Sequence, residues 1–255
     1  LLAKTASGAT VLDQLVEKQV CTQEDADRLL AAKNENTQPL SWKLREWMPQ
    51  DENYMYSPLS LEMALALIAN GAEGKTQEEI LSLLSTSEIA QYNEYAKGLM
   101  AEYAQKDKVA IEIANSIWLN TDHPSKMQFL DSYKALVKEF YDGEAGEINR
   151  QNALSTVNGW VKEKTHGKIT DILTEELVDR EDFLACLLNA VYFKAAWAKP
   201  FAASQTKKDI FTDKNGKQSE ISFLNQTLQA LYYADDTMQM VRLPYEDYNF
   251  SMYLV

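Results

Sequence analysis

One apolar run constrains the fold of this chain more than any other feature. Residues 183–193 (FLACLLNAVYF) hold ten apolar residues and a single amide, Asn189. At about 3.3 Å per residue the run would make a strand of roughly 35 Å, which is longer than most strands. Because acidic residues precede it and Lys194 follows it, the run predicts a strand that is covered on both faces.

The amide in the middle of this run needs a partner. Leaving a buried amide without a hydrogen bond costs about 1–3 kcal/mol. We therefore expect Asn189 to bond a group that is brought in from elsewhere in the sequence. A long strand with a hydrogen-bonding amide at its centre indicates a sheet whose interior has a role besides apolar packing.

Composition limits the classes of protein and partner. The chain has 255 residues, enough for one large domain or two small ones, and 45% of them are hydrophobic, which excludes global disorder. A formal net charge of −13 makes a nucleic-acid backbone a poor partner. No apolar run reaches the roughly 18 residues of a membrane span, and the first residues do not form a signal peptide. We expect neither nucleic acid nor membrane as partner, and an exported form would already have lost its signal.

The sequence lacks the parts of a catalytic or metal site. The histidines are His123 and His166, and neither has ligand spacing to a second histidine or to Cys21 or Cys186. No phosphate-binding glycine loop, nucleophile elbow or HExxH motif occurs. We therefore expect no enzyme activity, no metal and no cofactor.

Cys186 lies in the apolar run, where it is expected to act as a small apolar residue. A disulfide from Cys21 to Cys186 is left open.

The order of elements predicts the fold class. Residues 1–38 form short amphipathic patterns and a polar linker, which predict a helical N-terminal extension before a core domain over 39–255. A strong helix is expected after Ser57 and Pro58, ending at Gly71. Further helices are expected over 76–84, from a capping box at its start, and over 88–105, 129–140 and 151–165; strands are expected over 109–119, 183–193, 209–212, 220–224, 228–233, 238–243 and 250–255. Helices first and antiparallel strands later indicate an α+β fold.

Five motifs, in the correct order, resemble the serpin family. They are 53–76 (NYMYSPLS through GAEGKT), similar to the segment through helix B; 114–118 (ANSIW), to the second strand of sheet A; 157–169, to helix F and the loop after it; 188–201 (LNAVYFKAAWAKPF), to the third strand of sheet A; and 243–254, to strands of sheet B. The resemblance covers about 40–255, and it implies helices packed on a large central sheet A with further antiparallel sheets.

The resemblance also implies a function. Serpins inhibit endopeptidases of the serine class, and some of the cysteine class, as suicide substrates: the protease cleaves a reactive loop, which then inserts as a strand into sheet A. Such a protein performs no catalysis of its own. The alternative is a non-inhibitory serpin that serves as a binding, carrier or chaperone protein. The resemblance favours an extracellular location and leaves an intracellular one open.

Six residues match positions that serve the conformational change in serpins. They are the shutter residues Ser57, Ser60 and Asn189, the breach residue Trp197, and Asn158 and Trp160, which would hold helix F on the strands that must part. Each also has a simpler interpretation: Ser57 as a helix cap, the tryptophans as core residues, and Asn189 as an ordinary satisfied amide.

The family fold continues beyond Val255. The part that would follow holds the rest of sheets B and C, the fifth strand of sheet A and the whole reactive loop, so no residue here can be assigned to the reactive-site bond. An apolar strand at the last residue would leave an open edge. We therefore expect a C-terminal remainder of the same protein to complete the fold, beside a target protease as the external partner.

Overall fold

The computed structural model describes residues 16–17, 40–49, 51–104 and 108–255, with the side chains of residues 42 and 46 left out. Apart from residues 16–17, the predicted helical extension over 1–38 lies outside the described residues, and so does Cys21. Contacts divide the chain into two compact units, one within Glu35–Lys194 and one that contains Ala195–Val255. The prediction of a single core domain over 39–255 stays a prediction.

The first unit holds helices and a three-stranded sheet. Its helices are α1 (Leu40–Trp47), α2 (Pro58–Gly71), α3 (Gly74–Leu83), α4 (Ile89–Ala104), α5 (Asp131–Tyr141), α6 (Ala153–Lys164) and α7 (Glu175–Val178). Its strands are β1 (Val109–Asn120), β2 (Glu144–Ile148) and β3 (Ala185–Ala195). The strand order is β2-β1-β3, and β1 and β2 run parallel.

Local chemistry explains where the first two central helices begin. Ser57 caps α2 by accepting a hydrogen bond at Oγ from the backbone N–H of Ser60, and Pro58 takes the first helical position, as predicted. The capping box predicted at Thr76 is wrong about the start of α3. This helix begins two residues earlier, at Gly74, whose φ of +59° suits a glycine, and Glu73 before it provides no side-chain cap.

The sheet has a different hydrophobic cluster on each face. One cluster joins α2, α4 and α5, and Ile113 of β1 and Leu187 of β3 pack against it. The other joins α6 to Trp118 of β1 and Leu188 of β3. Because side chains alternate along a strand, the odd-numbered residues of both strands face α2 and the even-numbered ones face α6.

The burial of β3 differs from the prediction of full cover on both faces. Leu188 is buried, whereas Val191 and Phe193 are 37% and 42% exposed. The reason is the position of β3 at the end of the strand order, where no other described strand pairs with its outer edge. Strand β2 was not predicted, because its sequence (EAGEI) has no apolar alternation and only Ile148 is fully buried.

The second unit is built from antiparallel strands. They are β4 (Lys207–Thr212), β5 (Gln218–Phe223), β6 (Leu231–Ala234), β7 (Gln239–Pro244) and β8 (Ser251–Leu254), with a short 3₁₀ turn at Ala203–Gln205. Strand β4 pairs with β5, and β6-β7-β8 form a second sheet. Each strand overlaps a predicted one, and helices followed by antiparallel strands confirm the α+β class. Within the described ranges, no helix combines the length and the apolar character that crossing a membrane requires.

Candidate functional site

The amide of Asn189 bonds a second amide on the neighbouring strand. Its Nδ2 donates to Oδ1 of Asn115 on β1 at 2.6 Å. The expected partner from a distant part of the sequence is therefore present, 74 residues away. Asn115 itself is 1% exposed, so the bond lies inside the unit, on the face of the sheet that packs against α2.

A backbone carbonyl fixes the direction of this pair. Asn115 donates from Nδ2 to the carbonyl oxygen of Tyr141 at 3.0 Å, and a carbonyl can only accept. The Oδ1 of Asn115 is therefore the atom that faces Asn189, and Asn189 must use its NH₂ group there. This leaves Oδ1 of Asn189 as a buried acceptor, and it receives no hydrogen bond from any described residue. A group that completes this site has to be a donor.

The polar network continues from Tyr141 into the helices. The hydroxyl of Tyr141 donates to Oδ1 of Asn93 on α4 at 2.5 Å. Asn93 and Asn70 of α2 then exchange two amide bonds of 2.9 Å, and Asn70 also donates to the carbonyl of Ala66 at 2.8 Å. Burial raises the pKa of the Tyr141 phenol, which keeps it a neutral donor at physiological pH. The network thus runs from β3 through β1 and α5 to α2.

The two serines predicted for the shutter lie at the start of α2, both half-buried. The hydrogen bond recorded for Ser57 caps the helix through the N–H of Ser60, and Asn189 donates to Asn115 rather than to either serine. The simple interpretation of Ser57 as a cap is confirmed. A shutter role for the two serines stays a prediction.

Asn158 and Trp160 of α6 have different surroundings. Asn158 binds the segment after the helix: its Oδ1 accepts from the N–H groups of Ile172 and Leu173 at 3.0 and 2.9 Å, and its Nδ2 donates to the Leu173 carbonyl. Trp160 is buried in the cluster that contains Trp118 and Leu188, and so it packs α6 on the sheet. Of the two, Trp160 contacts the cluster of the strands and Asn158 orders the following loop.

Trp197 lies in the second unit. Its ring stacks on Tyr245 at 4.6 Å with an angle of 12° and meets Phe201 edge-on at 6.1 Å. A short bridge also joins the backbones of Trp197 and Tyr245. Trp197 is thus fixed by aromatic neighbours, and its breach role stays a prediction.

The surroundings of Cys186 are those of a structural residue. Cys186 is half-buried on β3, and burial raises the pKa of its thiol, which disfavours the reactive thiolate. A bond to Cys21 stays untested. Among the residues that the structure describes, no three histidine, cysteine or carboxylate side chains are grouped in a way that could hold a metal ion.

The sequence analysis missed four members of the network: Asn115, Tyr141, Asn93 and Asn70. A signal existed for Asn115, which is the one amide between alternating apolar residues of its predicted strand. No such signal marked Asn93, because an asparagine in a mixed polar helix is usually solvated. Its 5% exposure follows from how α4 packs on α2 and α5.

Comparisons with known proteins place this geometry in a family. The sequence matches the family model Serpin (serine protease inhibitor) over residues 35–255. A serine protease inhibitor of Cyanea capillata is 32% identical over 215 residues, covering 80% of this chain and 55% of that protein. The chain thus spans about half the length of the curated relatives that it matches.

Solved structures show the same fold. The latent state of the thermophilic serpin tengpin matches with a TM-score of 0.70 and 29% identity, covering 80% of this chain and 54% of that one. Thyroxine-binding globulin, solved with thyroxine, matches with a TM-score of 0.68 over 77% of this chain and 55% of that one; at 22% identity it supports the fold alone. The sequence match over 35–255 and these structures lead to one conclusion: the chain belongs to the serpin family.

Proposed function

We propose that the complete protein inhibits serine-class endopeptidases as a suicide substrate. The protease would attack a peptide bond in a reactive loop: its serine oxygen bonds the carbonyl carbon, the C–N bond breaks, and the serine proton passes to the leaving amine. The loop would then enter sheet A beside β3 while still joined to the protease as an ester. Family membership supports protease inhibition in general terms. Cysteine-class targets remain part of the proposal.

One observation carries the proposal: β3 has an outer edge that pairs with no described strand, and a buried acceptor near its middle. No described strand pairs with that edge, and Oδ1 of Asn189 receives no described donor. An unsatisfied buried acceptor costs about 1–3 kcal/mol, so a strand that lies along β3 and presents a donor would recover that free energy. In this proposal the donor comes from the remainder of the protein in one state and from the inserted loop in the other.

The proposed roles of the six residues follow from this. Asn189, with Ser57 and Ser60 nearby in the family pattern, would form the shutter; Asn115 would keep the Asn189 amide oriented in both states. Trp160 would hold α6 on the sheet, Asn158 would order the loop after α6, and Trp197 would mark the breach. Satisfied amides suit a movable edge because a hydrogen bond can be exchanged between two partners.

A second candidate is a non-inhibitory serpin that binds or carries a ligand, or acts as a chaperone. Its basis is the fold alone: thyroxine-binding globulin shares the fold and was solved with thyroxine. The discriminating sequence is the hinge before the reactive loop, which lies in the part of the family fold beyond residue 255: small residues favour insertion, and bulky ones or proline oppose it. An extracellular location stays a prediction for either function.

Incubation with proteases tests the proposal. The complete protein is mixed with trypsin-, chymotrypsin-, elastase- and subtilisin-like enzymes, and the products are separated under denaturing conditions. We expect a covalent complex with at least one active enzyme and none with the same enzyme after its serine is blocked. Cleavage by every enzyme without a complex would refute the inhibitor and favour the second candidate.

A further inference from the structure

A histidine just after the end of α6 contacts the neighbouring strands β1 and β3. Nε2 of His166 lies 3.0 Å from each carboxylate oxygen of Glu112 on β1. The same ring meets Tyr192 of β3 at a centroid distance of 4.5 Å and an angle of 59°. One side chain from outside the sheet therefore contacts two neighbouring strands, on the face opposite the Asn115–Asn189 bond.

The backbone that carries His166 is held independently of this contact. Its N–H donates to the carbonyl of Glu163 at 3.1 Å, and the N–H of Gly167 donates to the carbonyl of Lys162 at 2.7 Å. Oγ1 of Thr165 donates to the Val161 carbonyl at 2.8 Å and accepts a hydrogen bond from the Ile169 N–H at 3.0 Å. His166 has a φ of +50°, which is uncommon for a residue other than glycine. The turn is thus ordered, and the ring is presented to the strands.

The other contacts of α6 with the sheet have a different chemistry. Trp160, Val161 and Val157 pack with Trp118 and Leu188 in an apolar cluster, which does not respond to pH. Histidine is the side chain whose ordinary titration falls between pH 5 and 8. Among the described residues, the contact of His166 with Glu112 is therefore the one between this segment and the sheet that protonation can strengthen.

We propose that His166 is a positioning residue that fixes the end of α6 on β1 and β3, and that it holds the strands more strongly when it is protonated. The imidazolium donates from Nε2 and also attracts the Glu112 carboxylate by its charge, whereas the neutral ring offers a hydrogen bond without that attraction. The inference rests on the proposed function, in which the strand that enters sheet A displaces β1 and β3 relative to α6. Lower pH then slows spontaneous insertion.

The charged groups around the ring set the sign of this effect. From the strands, Glu112 faces it, and Lys194 shares a face of β3 with Tyr192 by alternation. On the segment of His166 itself, Lys164 is paired with Glu163 at 3.3 Å, and Lys168 follows in the loop. Glu112 is the carboxylate that contacts the ring, so protonation adds an attraction. The side chains of both partners are about half exposed, which limits the effect to about 1.5- to 5-fold.

A double-mutant cycle on the complete protein tests the proposal. His166→Gln, Glu112→Gln and the double variant are compared at pH 5.5 and pH 8.0. One readout is hydrogen exchange of the amides of residues 162–168, and the other is the rate at which the unchallenged protein loses its ability to form the covalent complex. We expect a coupling of about 1.5- to 5-fold at pH 5.5 that is smaller at pH 8.0, where only the uncharged hydrogen bond is left. His166→Arg should remove the pH dependence and keep the slow rate at both values.

His123→Gln is the matched control, because its ring bonds only Ser125 in its own turn among the described residues. It should leave both readouts unchanged. The proposal is overturned by equal coupling at both pH values, by no coupling, or by exchange coupling without any change in the rate of spontaneous loss. If no protease forms a complex, the proposed function fails, and the exchange readout still decides whether His166 holds α6 in a pH-dependent way.

Discussion

Asn189 on β3 donates a 2.6 Å hydrogen bond to Asn115 on β1, and Asn115 in turn donates to the carbonyl of Tyr141. This order of donors leaves Oδ1 of Asn189 without a hydrogen bond from any described residue, and a neighbouring strand can satisfy it only with a donor. Any strand that pairs with the outer edge of β3 therefore has to offer a hydrogen-bond donor to Oδ1 of Asn189. The consequences can be measured by changing one group at a time.

Replacing Asn115 with leucine should destabilise the complete protein by about 2–4 kcal/mol, because the Tyr141 carbonyl and the Asn189 amide would both lose a buried partner. Urea unfolding measures the change. The control is Asn225→Leu, where an exposed amide bonds the nearby Phe223 carbonyl and no other described residue; it should change the free energy of unfolding by less than about 0.5 kcal/mol. Equal effects of the two changes would show that the hydrogen bonds of Asn115 add no more to the free energy of unfolding than an exposed amide does.

Replacing Gly146 with alanine should be destabilising, by about 1–3 kcal/mol, because a Cβ there would lie 2.5 Å from Cζ3 of the buried Trp118 ring. Gly159→Ala on α6 is the matched change, since a Cβ at that position meets nothing within 4 Å. It should be neutral or stabilising by about 0.5–1 kcal/mol, as expected in an exposed helix interior. Thermal unfolding of both variants compares them, and a harmless Gly146→Ala would contradict the close packing of β2 on β1.

Ser57 offers a test of cap against shutter. Ser57→Ala should cost about 1 kcal/mol through the lost helix cap, whereas Ser57→Asp keeps a good cap and should restore that stability. If Ser57 acts only as a cap, the unchallenged aspartate variant will also lose its ability to form the covalent complex at the wild-type rate. If it takes part in the shutter, the added charge will change that rate while the stability is kept. A rate unchanged in both variants would remove Ser57 from the shutter.

The ionised carboxylate of Asp235 should make the stability of the second unit decrease in acid. Its carboxylate accepts bonds from the N–H and hydroxyl of Thr237, from the Met238 N–H and from the Tyr233 hydroxyl, and these hold its pKa well below the ordinary value. A lowered pKa stabilises the folded state above about pH 4, and this stabilisation is lost as the pH falls through the folded value. Asp235→Asn should flatten the decline in stability below pH 4.

Thermal unfolding between pH 7 and pH 2 provides the measurement for Asp235. The neighbouring Asp236, which is also exposed, gives the matched Asp236→Asn control, and its curve should follow the wild type. Identical acid curves for wild type and Asp235→Asn would mean that the turn between β6 and β7 does not depend on the ionised carboxylate.

Much of this fold could be predicted because its signals are local. The cap and proline before α2, the alternation of β1 and the apolar run of β3 each gave the correct element within about two residues. The need of Asn189 for a partner followed from the cost of burying an amide. The partial exposure of β3 at Val191 and Phe193 could not be predicted in the same way, since burial depends on which strands lie beside it.

The identity of the partner of Asn189 required the tertiary structure. Asn115 becomes its partner only through the pairing of β1 with β3, and Asn93 and Asn70 meet only because two helices cross. Strand β2 was invisible because Gly146 makes room for Trp118 instead of contributing an apolar side chain. Patterns along the chain record the environment of a residue, whereas polar pairing depends on positions far apart in sequence.

In the proposed function the edge of β3 accepts an inserted strand. Thermal unfolding of the complete protein is therefore measured before and after a protease cleaves the reactive loop, with both pieces retained. The account predicts that the cleaved form unfolds at a clearly higher temperature, because the loop then pairs with β3 and supplies a donor to Asn189. An unchanged or lower unfolding temperature after cleavage would contradict it.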